Sequence, residues 1–270
     1  MTVCRTYCAI LLCFLAMLRP TVSRAQTLGL APAQVVQKFK PGVPFEFDLA
    51  TANNGDNPVE MHVEISDLWY HDKGEKTFPA PGSTLHSAAN WIQFVPEHFE
   101  IAAHATAKMK AIATPPSNVS GGFYAVLFVT SKPQLTFDKT KDGKQIFTNM
   151  RLGCLVLLSA EGTEDYKIEV SNLQLNPPSA NQGLELTFDV TNFSNTHVFP
   201  IGRVAVLDSN RKLVAKAQSD MIRLLPGQKN SLHVDWSGSL PAGPYTAVLT
   251  VTYGEDRIET QQIPFNVIAP

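Results

Sequence analysis

The chain has 270 residues, with 22 Lys and Arg set against 24 Asp and Glu and a formal net charge of −2. No basic patch or stripe stands out, which argues against a nucleic-acid partner. Only four cysteines are present, and three of them lie in the first thirteen residues.

Residues 1–25 are expected to be a signal peptide. Arg5 precedes the apolar run "AILLCFLAML" of residues 9–18, and Ser23 and Ala25 fit a cleavage site before Gln26. Ten apolar residues are too few for a bilayer helix, which needs roughly 20. Removal of this segment takes away Arg5, Arg19 and Arg24 and leaves a net charge of about −5. No later stretch is long and apolar enough to span a membrane, so no membrane span is expected after signal removal. Cys154 alone then remains, and no intramolecular disulfide can form. About 245 residues can bury enough core without one, most naturally as two domains.

The elements that follow read as β-strands. "VPFEFDLAT" (43–51), "VEMHVEIS" (59–66), "ATAKMKAIAT" (105–114), "LELTFDVT" (184–191), "SLHVDW" (231–236) and "IPFNVIA" (263–269) alternate apolar and polar residues. Turn-forming "KPG", "NNGD", "APG", "LPG", "PAG" and "YGED" punctuate them, and no dozen residues keep a helical period. Such short strands at this spacing predict immunoglobulin-like β-sandwiches.

Two pairs of segments point to a duplication. "FDLATANNGDNPVEMHVEISD" (47–67) matches "FDVTNFSNTHVFPIGRVAVLD" (188–208) in its Phe-Asp opening and closing Asp, and "GGFYAVLFVT" (121–130) matches "AGPYTAVLTVT" (242–252). Two landmarks in one order favour a repeated plan over chance. Phe47 and Phe188 are expected at equivalent inward positions, as are Tyr124 and Tyr245. The first unit is about twenty residues longer, which places an insertion over residues 68–92, with Trp69, Tyr70, Phe78 and Trp91 among polar and turn residues. These aromatics would either cap the first core or form a partner-binding surface. "SAEGTEDY" (159–166) marks the boundary, giving domains at 26–160 and 161–270.

Residues 90–116, "NWIQFVPEHFEIAAHATAKMKAIATPP", together with the opening "PAQVVQKFKPGVPFEFDLATANNGDNP", resemble the N-terminal domain of PapD-like periplasmic pilus chaperones. "GGFYAVLFVT" and the second domain are closer in look to WxL-interacting cell-wall proteins. The resemblance covers roughly residues 30–158 and is one of spacing rather than fingerprint. It implies that the last strand of the first domain, "QIFTNMRLGCLVLL" (145–158), is lent to an extracytoplasmic partner such as a pilin-like subunit, and that a basic pair grips the partner's C-terminal carboxylate. Ile146, Met150, Leu152, Cys154, Val156 and Leu158 form the apolar row of an expected edge strand. Arg151 matches one member of the basic pair. The other position holds Gln37, with Lys38 beside it.

No enzymatic motif is found. G-x-S-x-G, H-E-x-x-H, P-loop and G-x-G-x-x-G patterns are all missing from the sequence. His71 beside Asp72, and His98 with His104, have no recognised metal spacing, so neither metal nor cofactor is expected. Cys154 sits in an apolar strand and reads as packed rather than reactive. Sequons at Asn118 and Asn192 carry meaning only in a host that glycosylates them. Two readings follow: a periplasmic or secreted, non-enzymatic PapD-like chaperone or accessory factor for surface-structure assembly, and a structural or adhesive cell-envelope module that binds wall polymer or another surface protein.

Overall fold

The computed structural model describes residues 28–70, 75–137, 145–179 and 182–268. The expected signal peptide and the His71–Asp72 pair lie outside the described residues. The first domain contains β1 (Leu28–Ala31), β2 (Gln34–Phe39), β3 (Phe45–Asn53), β4 (Val59–Asp67), β5 (Trp69–Tyr70), β6 (Lys76–Thr77), a 3-10 turn at Ala89–Trp91, β7 (Ile92–Val95), β8 (His98–Ile101), β9 (Thr106–Ala113), β10 (Gly122–Ser131), β11 (Gln134–Phe137), β12 (Ile146–Thr148) and β13 (Arg151–Ala160). A four-stranded sheet, β1-β3-β9-β7, faces a five-stranded sheet, β2-β13-β10-β4-β8. The second domain contains β14 (Ile168–Asn176), β15 (Leu184–Asn192), β16 (Ile201–Asp208), β17 (Leu213–Gln218), β18 (Lys229–Trp236), β19 (Gly243–Tyr253) and β20 (Arg257–Val267). Its sheets are β14-β15-β18 and β17-β16-β19-β20. The protein is two immunoglobulin-like β-sandwiches in tandem.

Alternation builds both cores. In β15 every second residue from Leu184 to Asn192 is buried, and Leu186, Phe188 and Val190 share one core with Leu232 and Val234 of the neighbouring strand and Leu249 of the facing sheet. Phe188 is fully buried because Gly202 opposite has no side chain; a Cβ there would lie 2.3 Å from the Phe188 ring. Strand β10 departs from alternation, since all ten of its residues are buried. Phe123, Ala125, Leu127 and Val129 enter the first core. Tyr124 and Phe128 point the other way and are covered by the inserted segment: Trp69 lies 6.2 Å from Tyr124, and Phe78 packs edge-on at 5.1 Å against Phe128. A strand buried on both faces reads as an unbroken apolar run, which is how "GFYAVLFV" reads.

The insertion is held at its root by Asp67, which is fully buried at the end of β4. Its carboxylate accepts from the Gly82 and Thr84 amides and from the Thr84 and Ser87 hydroxyls. Asp208, closing β16, accepts from the Asn210 and Lys212 amides and shapes the turn into β17. Both aspartates therefore organise the segment after the same strand of each sandwich.

The two domains share a strand arrangement, but two expected equivalences shift. Asn53 and Asn192 are the matching residues. Each is fully buried at the end of its strand and bridges the same features. Asn53 donates to the carbonyls of Asn57 and Ile101 and accepts from the Gly55 amide. Asn192 donates to Thr196 and Leu224 and accepts from the Ser194 amide. Aligned on these asparagines, Phe188 matches Leu49, which opposes Met109 as Phe188 opposes Leu232. Phe47 and Phe188 thus share a strand and a face but lie two residues out of step. Tyr124 and Tyr245 fall on opposite faces. Tyr245 turns toward its own core, stacks on Phe265 and donates to the Pro241 carbonyl at 3.0 Å, as a tyrosine corner does. Tyr124 turns outward, toward the second domain.

Tyr124 also explains Gly122. A Cβ at position 122 would lie 2.1 Å from the Tyr124 hydroxyl and 2.8 Å from Thr196 Oγ1. Gly122→Ala should therefore lower stability by about 1–3 kcal/mol, as overpacking does. Denaturant unfolding checks this, with Gly227→Ala serving only as a φ control, since nothing lies within 4 Å of the Cβ it would add.

Candidate functional site: the last strand of the first domain and the interdomain cleft

Residues 145–158 do not form one edge strand. β12 pairs with β11 as a separate hairpin, and β13 begins anew at Arg151. β13 lies between β10, which it pairs along its length, and β2, which runs parallel to it over Leu155–Ala160 only. The expected apolar row divides accordingly. Leu152, Cys154, Val156 and Leu158 oppose Val129, Leu127, Ala125 and Phe123, and the last three of the row are fully buried in the protein's own core. An apolar strand position opposite a core residue of its neighbour shares that neighbour's face. Burial pushes the Cys154 thiol up to about 11, consistent with a packed rather than reactive cysteine. The accessible apolar residues are those before the buried row: Ile146 is 40% exposed and Phe147 58%, while Met150 and Leu152 are half-buried.

Beside Arg151–Cys154, β2 has not yet begun to pair. This short stretch of β13 is paired with a strand on one side only among the described residues, and β1 of the other sheet passes near β13. Ile146 and Phe147 lie a few residues before this stretch in the chain. Arg151 lies in the same stretch, with its guanidinium 3.6 Å over the Phe128 ring and 3.0 Å from the Glu64 carboxylate.

Lys38 is far from Arg151. It opposes Ser159, so the two cations lie roughly 26 Å apart along the strand. They do not form a basic pair. Lys38 instead bridges the domains: its ammonium contacts Glu164 in the connecting segment at 2.8 Å and Glu255 in the β19–β20 turn. Glu164 first and Glu255 second raise the Lys38 pKa well above its ordinary value. Burial opposes the charge of Glu164, but Lys38 and local backbone amides outweigh it and hold the carboxyl below its usual range.

Lys38 borders a cleft of about 500 Å³ between the domains, whose lining includes Gln37, Tyr166, His197, Phe199, Arg203 and Glu255. It adjoins the domain seam, with Phe199 common to both. Leu68, Tyr124 and Leu157 of the first domain pack on Leu225 of the second, with Phe199 at the margin. Arg223 donates to the Tyr70 hydroxyl at 2.9 Å and to the Gln34 side chain. Ser159 and Thr196 share a hydrogen bond of 2.9 Å, and the Gly122 amide donates to the Asn195 carbonyl. His197 sits edge-on to Tyr124 and Phe199. Burial first, and the Arg223 charge second, depress its pKa to about 4.

The four aromatics of the insertion take different places. Trp91 caps the first core against Phe123 and Phe39. Trp69 stacks on His86 at 5.3 Å, Tyr70 joins the seam, and Phe78 stays 44% exposed. Among the described residues no three His, Cys, Asp or Glu side chains converge as a metal site, and no helix is long and apolar enough to cross a membrane. His197, Arg223, Glu164, Asn195 and Tyr166 were not singled out by the sequence. Their partners lie up to 189 positions away, as with Arg223 and Gln34, and no local pattern marks them.

No protein-family model matches the chain, and no curated protein matches it in sequence. Solved structures do resemble it in fold. One is a chain from the chaperone–tip adhesin complex of CFA/I fimbriae biogenesis, at 10% identity and a TM-score of 0.48, covering 90% of this chain and 100% of that one. A second is the E. coli chaperone DraB, at 14% identity and 0.45, covering 92% and 98%. A third comes from the complex of the Salmonella enterica SafA pilin with the SafB chaperone, at 11% identity and 0.43, covering 91% and 98%. What these chains share with this one is a fold.

Proposed function

We propose that this protein is an exported, non-enzymatic chaperone or accessory factor of surface-structure assembly, which holds an extracytoplasmic, pilin-like protein by β-strand addition. The observation that carries this reading is the one-sided stretch Arg151–Cys154 of β13, approached by the exposed Ile146 and Phe147. A strand edge offers backbone donors and acceptors, and exposed apolar edges invite pairing, so proteins keep them mainly where a client covers them. A strand laid beside Arg151–Cys154 would extend the five-stranded sheet, and its side chains would meet Ile146 and Phe147. Partner binding would therefore use Ile146, Met150, Arg151 and Leu152, while Cys154 and Val156 hold the strand in its core. Lys38 is engaged by two internal carboxylates, so a partner carboxylate reaching it would first have to displace Glu164 or Glu255.

Phe147→Asp should leave the isolated protein folded, because the ring is more than half exposed. It should abolish capture of the partner when the chain is expressed with its own leader and cross-linked in the cell envelope. Val156→Asp should unfold the first domain, because it puts a charge into a closed core. Unchanged capture by folded Phe147→Asp and Ile146→Asp variants would remove the basis of the strand-addition reading.

A further inference from the structure

The outer face of the β17-β16-β19-β20 sheet lies away from the first-domain edge, and at one end its Arg203 and Thr252 also line the interdomain cleft. Strand register defines it in rows. Gln218, Arg203, Thr250 and Thr260 form one row, and Lys216, Ala205, Val248 and Gln262 form the next. Thr252 and Ile258 continue it on one side, and Leu207, Thr246 and Pro264 on the other. The small Ala205 leaves a depression of about 500 Å³, lined by Arg203, Lys216, Gln218, Val248 and Thr250.

The charge of this face is one-sided. Its rows hold two cations and no carboxylate, in a chain with more acidic than basic residues. Arg203 hydrogen-bonds the neutral Thr252 hydroxyl at 2.8 Å, and neither Arg203 nor Lys216 has an acidic partner among the described residues. Glu255 and Asp256, in the turn at one end, line the interdomain cleft together with Arg203, and Glu255 is taken by Lys38. Arg203 and Lys216 are diagonal neighbours across the β16–β17 pair, roughly 7–8 Å apart. Residues i and i+2 of an extended chain repeat at nearly that spacing, about 6.7 Å.

We propose that this face is a second docking surface, for an extended acidic segment of a partner protein carrying carboxylates two residues apart, received by Arg203 and Lys216. Threonine and glutamine around the two cations supply hydrogen bonds to the segment's backbone and polar side chains. An anionic polysaccharide has the same charge, but the rows contain no aromatic ring to stack on a sugar, which favours a peptide.

The full chain would be titrated with a peptide of about a dozen alternating glutamates and threonines in low salt, following backbone amide shifts. The expected result is saturable binding with shifts confined to β16, β17 and β19. Arg203→Gln or Lys216→Gln should each weaken it about tenfold, and the Glu variants should abolish it, as should salt of about 0.5 M. Both side chains are exposed, so thermal unfolding of all four variants should stay unchanged. Phe147→Asp should leave this binding intact, which separates it from the edge of the first domain. Lack of saturable binding would overturn the proposal. So would an equal loss in Lys108→Glu, an exposed charge reversal on the other domain, or polygalacturonate binding the face when the peptide does not.

Discussion

Asn192→Ala should lower the unfolding free energy by about 3–5 kcal/mol, and Asn53→Ala by a similar amount. Each asparagine is fully buried and ties a strand end to the loop that follows and to a neighbouring strand or loop. Truncating Asn192 strands the Thr196 carbonyl and the Ser194 amide away from water, and each unmet group costs roughly 1–3 kcal/mol, while the Leu224 carbonyl keeps only its bond from the Val198 amide. Asn192→Asp separates the two functions of the side chain, because it keeps the acceptor and loses the donor. It should be no better than alanine. Asn118→Ala lies in an exposed turn and should be near neutral. Chemical denaturation of the four variants decides the matter; a cost below 1 kcal/mol at Asn192 would mean that the loops hold themselves. The same burial bears on the two sequons. Asn192 offers no free amide in the folded protein, whereas Asn118 does.

Acid should loosen the protein first at His197. Its folded pKa is about 4, against an ordinary value of 6.5. The unfolded chain therefore binds the extra proton more readily between those values. The stabilisation is fully present above pH 6.5 and is lost as pH falls toward 4, by about 3 kcal/mol in total. The carboxylates with lowered values act later. Asp189 is held down to about 2 by Lys229, Ser231 and Asn172, and its contribution disappears only below about pH 4. Urea midpoints at pH 7, 6 and 5 should therefore fall steadily in the native chain. In His197→Phe, which keeps an aromatic ring between Tyr124 and Phe199, they should stay nearly level over the same range. An unchanged slope in that variant would place the titrating group elsewhere.

The fold class was legible because alternation and turn residues are local signals, and each strand carries its own. The repeat was legible in outline but not in register. Phe-Asp recurs by composition, whereas the residue that recurs by role is a buried asparagine, whose value appears only once its loop carbonyls are in place. β-strand side chains alternate, so a displacement of one residue sent Tyr124 to the opposite face from Tyr245. The apolar row of β13 was visible, but its direction was not: the same alternation serves a client strand or a core, and register against β10 decided for the core from Cys154 onward. The seam left no trace in the sequence. Tyr70 with Arg223, and Gly122 with Asn195, are single residues joined across long separations, and neither side has a motif of its own.

Asn195 changes what the segment between the sandwiches is. Its carbonyl accepts from Gly122, its side-chain oxygen accepts from the Asp165 amide, and its side-chain nitrogen donates to the Thr163 carbonyl. Thr163 in turn accepts from the Gly121 amide through its hydroxyl, and Lys167 donates its amide to the Ser194 hydroxyl. A protease needs several consecutive residues free to stretch into its active site, and the bonded backbone of Thr163–Lys167 does not supply them. The usual cutting place between two domains is closed here, and digestion of the intact protein would be expected to start elsewhere, without releasing either half.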